Sequence, residues 1–125
     1  MINKKVVILD DDKEFLEELA ETLSLSGYEP IAISDTDGFA DIVVKTQPAV
    51  ILMDLKMPKK TGLQMAYELK EYTETAHVPI IAMSGFMNEN YTTLITLCGI
   101  KKFLKKPFNP LDIIMEIEEV LAKGE

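Results

Sequence analysis

Several side chains capable of chemistry stand directly after short apolar runs. Asp10, Asp11 and Asp12 follow Val6 to Leu9, Asp54 follows Val50 to Met53, Ser84 follows Val78 to Met83, and Lys106 follows a run centred on Phe103 and Leu104. A lone aspartate after such a run more often starts a turn than a reaction. The set is what points to chemistry. Carboxylates gathered at one place repel each other, so they need a cation to stay ionised at neutral pH. Oxygen-only ligands favour Mg2+, which takes one or two carboxylates and leaves positions for water or phosphate oxygens. Lys106 adds a second positive charge and Ser84 a hydroxyl donor. Together they suit a phosphoryl group arriving on Asp54, because phosphoryl transfer is mostly positioning and neutralisation of oxygen charge.

These residues meet only if the apolar runs are neighbouring strands with their carboxyl ends at one edge. The first three runs are β-branched and aliphatic, as strands buried on both faces of a parallel sheet are. Between them the period changes to that of a helix. Phe15, Leu16, Leu19, Ala20 and Leu23 recur among glutamates, with Asp12 as cap and Gly27 as stop. Tyr28 to Ile33 reads as a second strand, with Pro30 placing it at a sheet edge. Phe39 to Thr46 is a short helix, ended by Gln47 and Pro48. A helix from about Leu63 to Tyr72 carries Leu63, Ala66, Tyr67 and Leu69 as its stripe. The strand before Ser84 is expected over Val78 to Met83. Asn88 to Cys98 is helical in spacing but rich in threonine, hence marginal. Ile100 to Lys105 is the last strand. Asn109 caps a final helix with Pro110 in its first position and Ile113, Ile114, Ile117, Val120 and Leu121 on its buried side. Five strands alternating with five helices predict an α/β fold, a doubly wound parallel sheet in which the carboxyl ends of strands one, three, four and five share an edge.

Bulk properties narrow the function. The 125 residues fit one domain, 1–125, and 47% hydrophobic content fills a core. A net charge of -8, with every basic residue a lysine, argues against direct nucleic-acid binding. Cys98 is the single cysteine, so no internal disulfide forms and a reducing, cytoplasmic setting is expected. The apolar run before Asp10 is too short for a signal peptide, and no run reaches membrane-spanning length.

The pieces VVILDDD, SGYEP, PAVILMDLKMP with Gly62, VPIIAMSG and CGIKKFLKKPF, in this order and at this spacing, resemble a receiver domain of the bacterial two-component response regulators over essentially the whole chain. The resemblance implies a flavodoxin-like sheet of order 2-1-3-4-5. It makes Asp54 the phosphoacceptor, fed by a histidine kinase or histidine phosphotransfer protein. Asp11 ligates Mg2+ (or Mn2+ in its stead), Asp10 orients the ion's waters, Asp54 shares the ion, and the backbone carbonyl of Lys56 completes the protein's part. Ser84 and Lys106 contact the phosphoryl oxygens. Phe103 occupies an aromatic switch position, turning inward as Ser84 is drawn to the phosphate and altering the face made by the fourth helix, fifth strand and fifth helix. A downstream protein or an attached output domain reads that face. Such a chain is no enzyme in the usual sense, though it catalyses its own phosphorylation from small phosphodonors and its own dephosphorylation. Lys59, Lys60 and Thr61 depart from the family, many of whose members have Gly and Asp in this loop, and Phe103 lacks a hydroxyl. The Lys106-Pro107 peptide is one that the family usually holds cis.

Other readings compete. Asp10-Asp11-Asp12 has the Asp-x-Asp form of a haloacid dehalogenase-type phosphatase or phosphotransferase, with Asp10 as nucleophile and Ser84 and Lys106 as later motifs. Glu14 and the lack of a cap insertion count against it. A module that no longer takes phosphate conflicts with a complete site, and acids in the first loop disfavour flavin. Phe15, one turn beyond the acids, is either core or an apolar foot for a partner's helices. His77 and the Lys101, Lys102 and Lys105 group read as ordinary surface residues.

Overall fold

The computed structural model describes residues 2–85 and 89–123, with the side chains of residues 89–91 left aside. Its elements are β1 (Lys5–Leu9), α1 (Lys13–Leu25), β2 (Glu29–Ile33), α2 (Phe39–Thr46), β3 (Val50–Asp54), α3 (Gly62–Glu71), α4 (Thr73–Ala76), β4 (Ile80–Ser84), α5 (Glu89–Leu97), β5 (Lys102–Lys105) and α6 (Pro110–Lys123). The strands form one parallel sheet of order β2-β1-β3-β4-β5, as the family resemblance implies. Pro30 lies on the edge strand β2.

Successive strand residues point to opposite faces, and each face has its own core. Val7, Leu9, Ile51 and Met53 pack with Phe39 and Val43 of α2, with Met65, Ala66 and Leu69 of α3 and with Ile95 of α5. Val6, Ile8, Leu52 and Met83 pack with Leu16, Leu19 and Leu23 of α1 and with Ile113, Ile117 and Val120 of α6. β3 and β4 are buried along their whole length. Each valine, leucine, isoleucine or methionine among them contributes about 1.5–3 kcal/mol on leaving water. The central strands thus anchor the sheet, and Asp54 and Ser84 stand at their tips.

The helix termini follow their local chemistry. Asp12 accepts the Phe15 N–H at the start of α1, at 3.1 Å. Asn109 accepts the Leu111 N–H at the start of α6, at 2.9 Å. Gly27, with φ 90°, follows the end of α1 in the left-handed region that glycine adopts without steric cost.

Three details differ from the sequence expectation. α4 is an additional one-turn helix over TETA, making six helices among the described residues instead of five. It is too short to show a period, and it is held by the buried Thr75 hydroxyl, which donates to Leu69 O at 2.5 Å. α3 begins earlier than expected, at Gly62, through a reciprocal capping box between Thr61 and Gln64. With Gly62 against the sheet, Met65, Ala66 and Leu69 complete the i, i+3, i+4, i+7 face, while Tyr67 is exposed. β4 and β5 also start two residues late, at Ile80 and Lys102. The expected start of the threonine-rich helix at Asn88 lies outside the described residues.

Candidate phosphoryl-transfer site

The carboxyl-terminal edge of the sheet brings together Asp10, Asp11, Asp54, Ser84 and Lys106, from the ends of β1, β3, β4 and β5. The register fixes their neighbours: Asp54 lies opposite Met83, and Ser84 opposite Lys105. Hydrogen bonds from Leu55 N–H to Met83 O at 3.0 Å and from Lys106 N–H to Ser84 O at 2.8 Å carry the pairing past the strand ends into the loops. The Lys106-Pro107 peptide is cis.

Asp10 is completely buried. Its Oδ1 accepts the Asp12 N–H at 2.9 Å, and its Oδ2 accepts from Lys106 Nζ at 2.5 Å. Asp11, next along, is exposed. Asp54 is 6% exposed. Its Oδ1 accepts the Lys56 N–H at 3.1 Å, and its Oδ2 lies 3.6 Å from Lys106 Nζ. Burial pushes the Asp54 carboxyl above the ordinary carboxylate range. The Lys56 N–H and Lys106 draw it down, and Asp10 and Asp11 raise it further. Ser84 is buried. Phe103, half-buried, pairs with Ala82 two rungs before Ser84's and packs on the core that holds Ile95 and Ile100.

A ligand oxygen from each of Asp10, Asp11 and Asp54 lies within 4.8 Å of the others. Three hard donors so gathered, one of them open to solvent, fit a hard divalent cation that keeps part of its water shell. One lysine shared by two buried carboxylates leaves negative charge over, and a cation answers it.

Two features of the site go beyond the sequence reading. Lys59 adopts φ 69° and its ammonium reaches Asp35 at 3.4 Å and Asp37 at 3.0 Å, tying the loop after β3 to the turn after β2. Only its departure from the family's usual residue hinted at a role. Phe15 carries Lys106 Nζ over its ring, 4.3 Å from the centroid. Its spacing one turn from the acids placed it nearby, but not its contact.

A parallel sheet with a carboxylate, a hydroxyl and an ammonium at its carboxyl edge, beside a pair of acids, defines a phosphoacceptor class of protein. The chain belongs to the response regulator receiver domain family of two-component systems, whose sequence profile matches residues 6–118. Among its curated relatives, the phosphate regulon transcriptional regulatory protein PhoB of Pseudomonas aeruginosa is 28% identical over 98% of this chain and 54% of its own length. The chain thus spans about half of that relative. The polar-differentiation response regulator DivK of Brucella anthropi is 28% identical over 95% of this chain and 97% of its own. A response regulator from Desulfuromonas acetoxidans superposes with TM-score 0.85 at 27% identity, covering 94% of this chain and 96% of that one. The Vibrio cholerae chemotaxis protein CheY4 shares the fold with TM-score 0.89 at 24% identity, over 95% and 99% of the two chains.

The haloacid dehalogenase alternative is not supported. The family match lies elsewhere, and Asp10, its would-be nucleophile, is buried with both carboxylate oxygens engaged. No helix of the described residues is long and apolar enough to cross a membrane.

Proposed function

We propose that residues 1–125 act as one receiver domain in the cytoplasm, with Asp54 as the residue that takes the phosphoryl group from a histidine kinase or histidine phosphotransfer protein. The observation that carries this reading is the setting of Asp54: a nearly buried carboxylate at a strand tip, with Lys106 Nζ at 3.6 Å and Asp10 and Asp11 beside it. The donor's N–P bond breaks as an Asp54 oxygen bonds to phosphorus. The electron pair stays on the imidazole nitrogen, which then takes a proton from solvent. The product is an aspartyl phosphate. Small donors such as acetyl phosphate serve in the same way, with acetate leaving. Asp10, Asp11, Asp54 and the Lys56 carbonyl would hold Mg2+ or Mn2+, which when bound neutralises charge on the phosphoryl oxygens.

The chain's own groups do the rest. The Lys56 N–H fixes the Asp54 carboxylate through Oδ1. Lys106 stands between Asp10 and Asp54, within reach of a phosphoryl oxygen. Ser84, at the adjacent strand tip, supplies a hydroxyl that moves toward the phosphate, and Phe103 turns inward behind it. That change is passed to the face of α5, β5 and α6, where Leu94, Leu97, Leu111 and Met115 are exposed. A downstream protein or an attached output domain reads the face, and the aspartyl phosphate biases the two states. Radiolabelled acetyl phosphate with Mg2+ tests the assignment: the parent is expected to take label and Asp54→Asn none. Undiminished labelling of the variant would remove Asp54 from its role.

A further inference from the structure

Lysine is a flexible stem with a compact charge at its end, so a lysine that must meet a phosphoryl oxygen needs something to hold it. Asp10 and Asp54 hold the Lys106 ammonium on one side, at 2.5 and 3.6 Å. On another it lies over the Phe15 ring, 4.3 Å from the centroid and well inside the distance at which the negative face of an aromatic ring attracts a cation. The ring is itself braced. Phe108 meets it edge to face, centroids 5.8 Å apart and planes at 83°. Both rings are tied to the backbone that carries the charged groups: the Phe15 N–H is bonded to Asp12, and Phe108 follows Lys106 and Pro107.

We infer that Phe15, braced by Phe108, is a positioning residue for Lys106. Its ring holds the ammonium between Asp10 and Asp54 and shields it from water on the side away from the carboxylates. This rests on the reading of Asp54 as phosphoacceptor, and it gives Phe15 a task distinct from seating a partner.

The test uses acetyl phosphate, which needs no docking surface, together with NMR of the Lys106 side chain. Protons of the Lys106 ε-methylene, next to a ring face, are expected to resonate upfield of an ordinary lysine's. Phe15→Leu should abolish that shift and slow self-phosphorylation about three- to tenfold, the scale of one lost cation–aromatic contact. Phe15→Tyr, which keeps the ring, should retain both properties, and Phe108→Leu should weaken both in part. Far-UV circular dichroism checks that each variant is folded, and Phe108→Leu with Phe15→Tyr keeps the question answerable if Phe15→Leu is not. A Phe15→Leu variant with parental rate, an unmoved Lys106 resonance, or a Phe15→Tyr variant as slow as leucine would overturn the inference. Labelling of the parent that survives Asp54→Asn would instead overturn the phosphoacceptor reading. The NMR comparison needs no donor and judges the positioning of Lys106 either way.

Discussion

Replacing Asp54 with asparagine should make the metal-free protein more stable. The parent carboxylate is 6% exposed and has ligand oxygens of Asp10 and Asp11 within 4.8 Å, against one cation, Lys106 Nζ, at 3.6 Å. With an effective dielectric near 20, each repulsion is roughly 3–4 kcal/mol and the attraction roughly 4–5 kcal/mol. Asp11 is exposed, so its share is screened. Asparagine keeps an oxygen for the Lys56 N–H, while Lys106 keeps Asp10. The net gain expected is about 1–2 kcal/mol. Its pH dependence has a definite sign. The folded state holds the Asp54 proton more tightly than the unfolded chain does, because burial and the neighbouring acids raise its pKa. Ionising it therefore costs nothing below the ordinary carboxylate range, and the cost grows as pH rises through the elevated value. The advantage of asparagine should be larger at neutral pH than in acid, where it fades. Urea unfolding of both proteins in a chelator, at neutral and acidic pH, measures it. Adding Mg2+ should narrow the gap by stabilising the parent more. A variant no more stable than the parent at neutral pH, or an advantage that persists in acid, would refute the charge-crowding argument.

Two further outcomes follow from the same geometry. A Cβ added at Gly62 would meet Asp54 O at 2.6 Å and Leu55 Cα at 2.8 Å, both backbone atoms of the β3 tip. Gly62→Ala should therefore cost about 1–3 kcal/mol in urea unfolding, and a loss under about 0.5 kcal/mol would mean that α3 does not press on that tip. Asp11→Ala removes an exposed ligand oxygen while leaving the core untouched. Mg2+ affinity, read from the metal's effect on thermal unfolding, should fall about tenfold or more, since even groups behind a ligand act on that scale. Unchanged affinity would locate the metal elsewhere.

Strand tips were legible because each buried run ends where a charged or hydroxyl residue begins, and because a parallel sheet sends its chemistry to one edge. The caps Asp12 and Asn109 were equally readable, being local contacts between a side chain and an amide two or three residues on. What escaped depends on tertiary approach. The buried side of α3 is set by Gly62 lying on β3, which left Tyr67 outside despite its apolar ring. α4 is four residues held by one buried threonine, and four residues carry no period. The grip of Phe15 on Lys106 joins positions far apart in the chain, through ring orientation that spacing does not encode.

The Lys59 bridges to Asp35 and Asp37 leave the loop beyond Asp54 moored by charge. Its left-handed backbone would suit glycine better, yet glycine there would cast the mooring off. Both bridges are open to solvent, so dissolved ions compete with them directly. Brine should slacken the strap that carries Lys56 past Asp54, and dilute buffer should draw it taut, making ionic strength a dial on the loop beside the three acids.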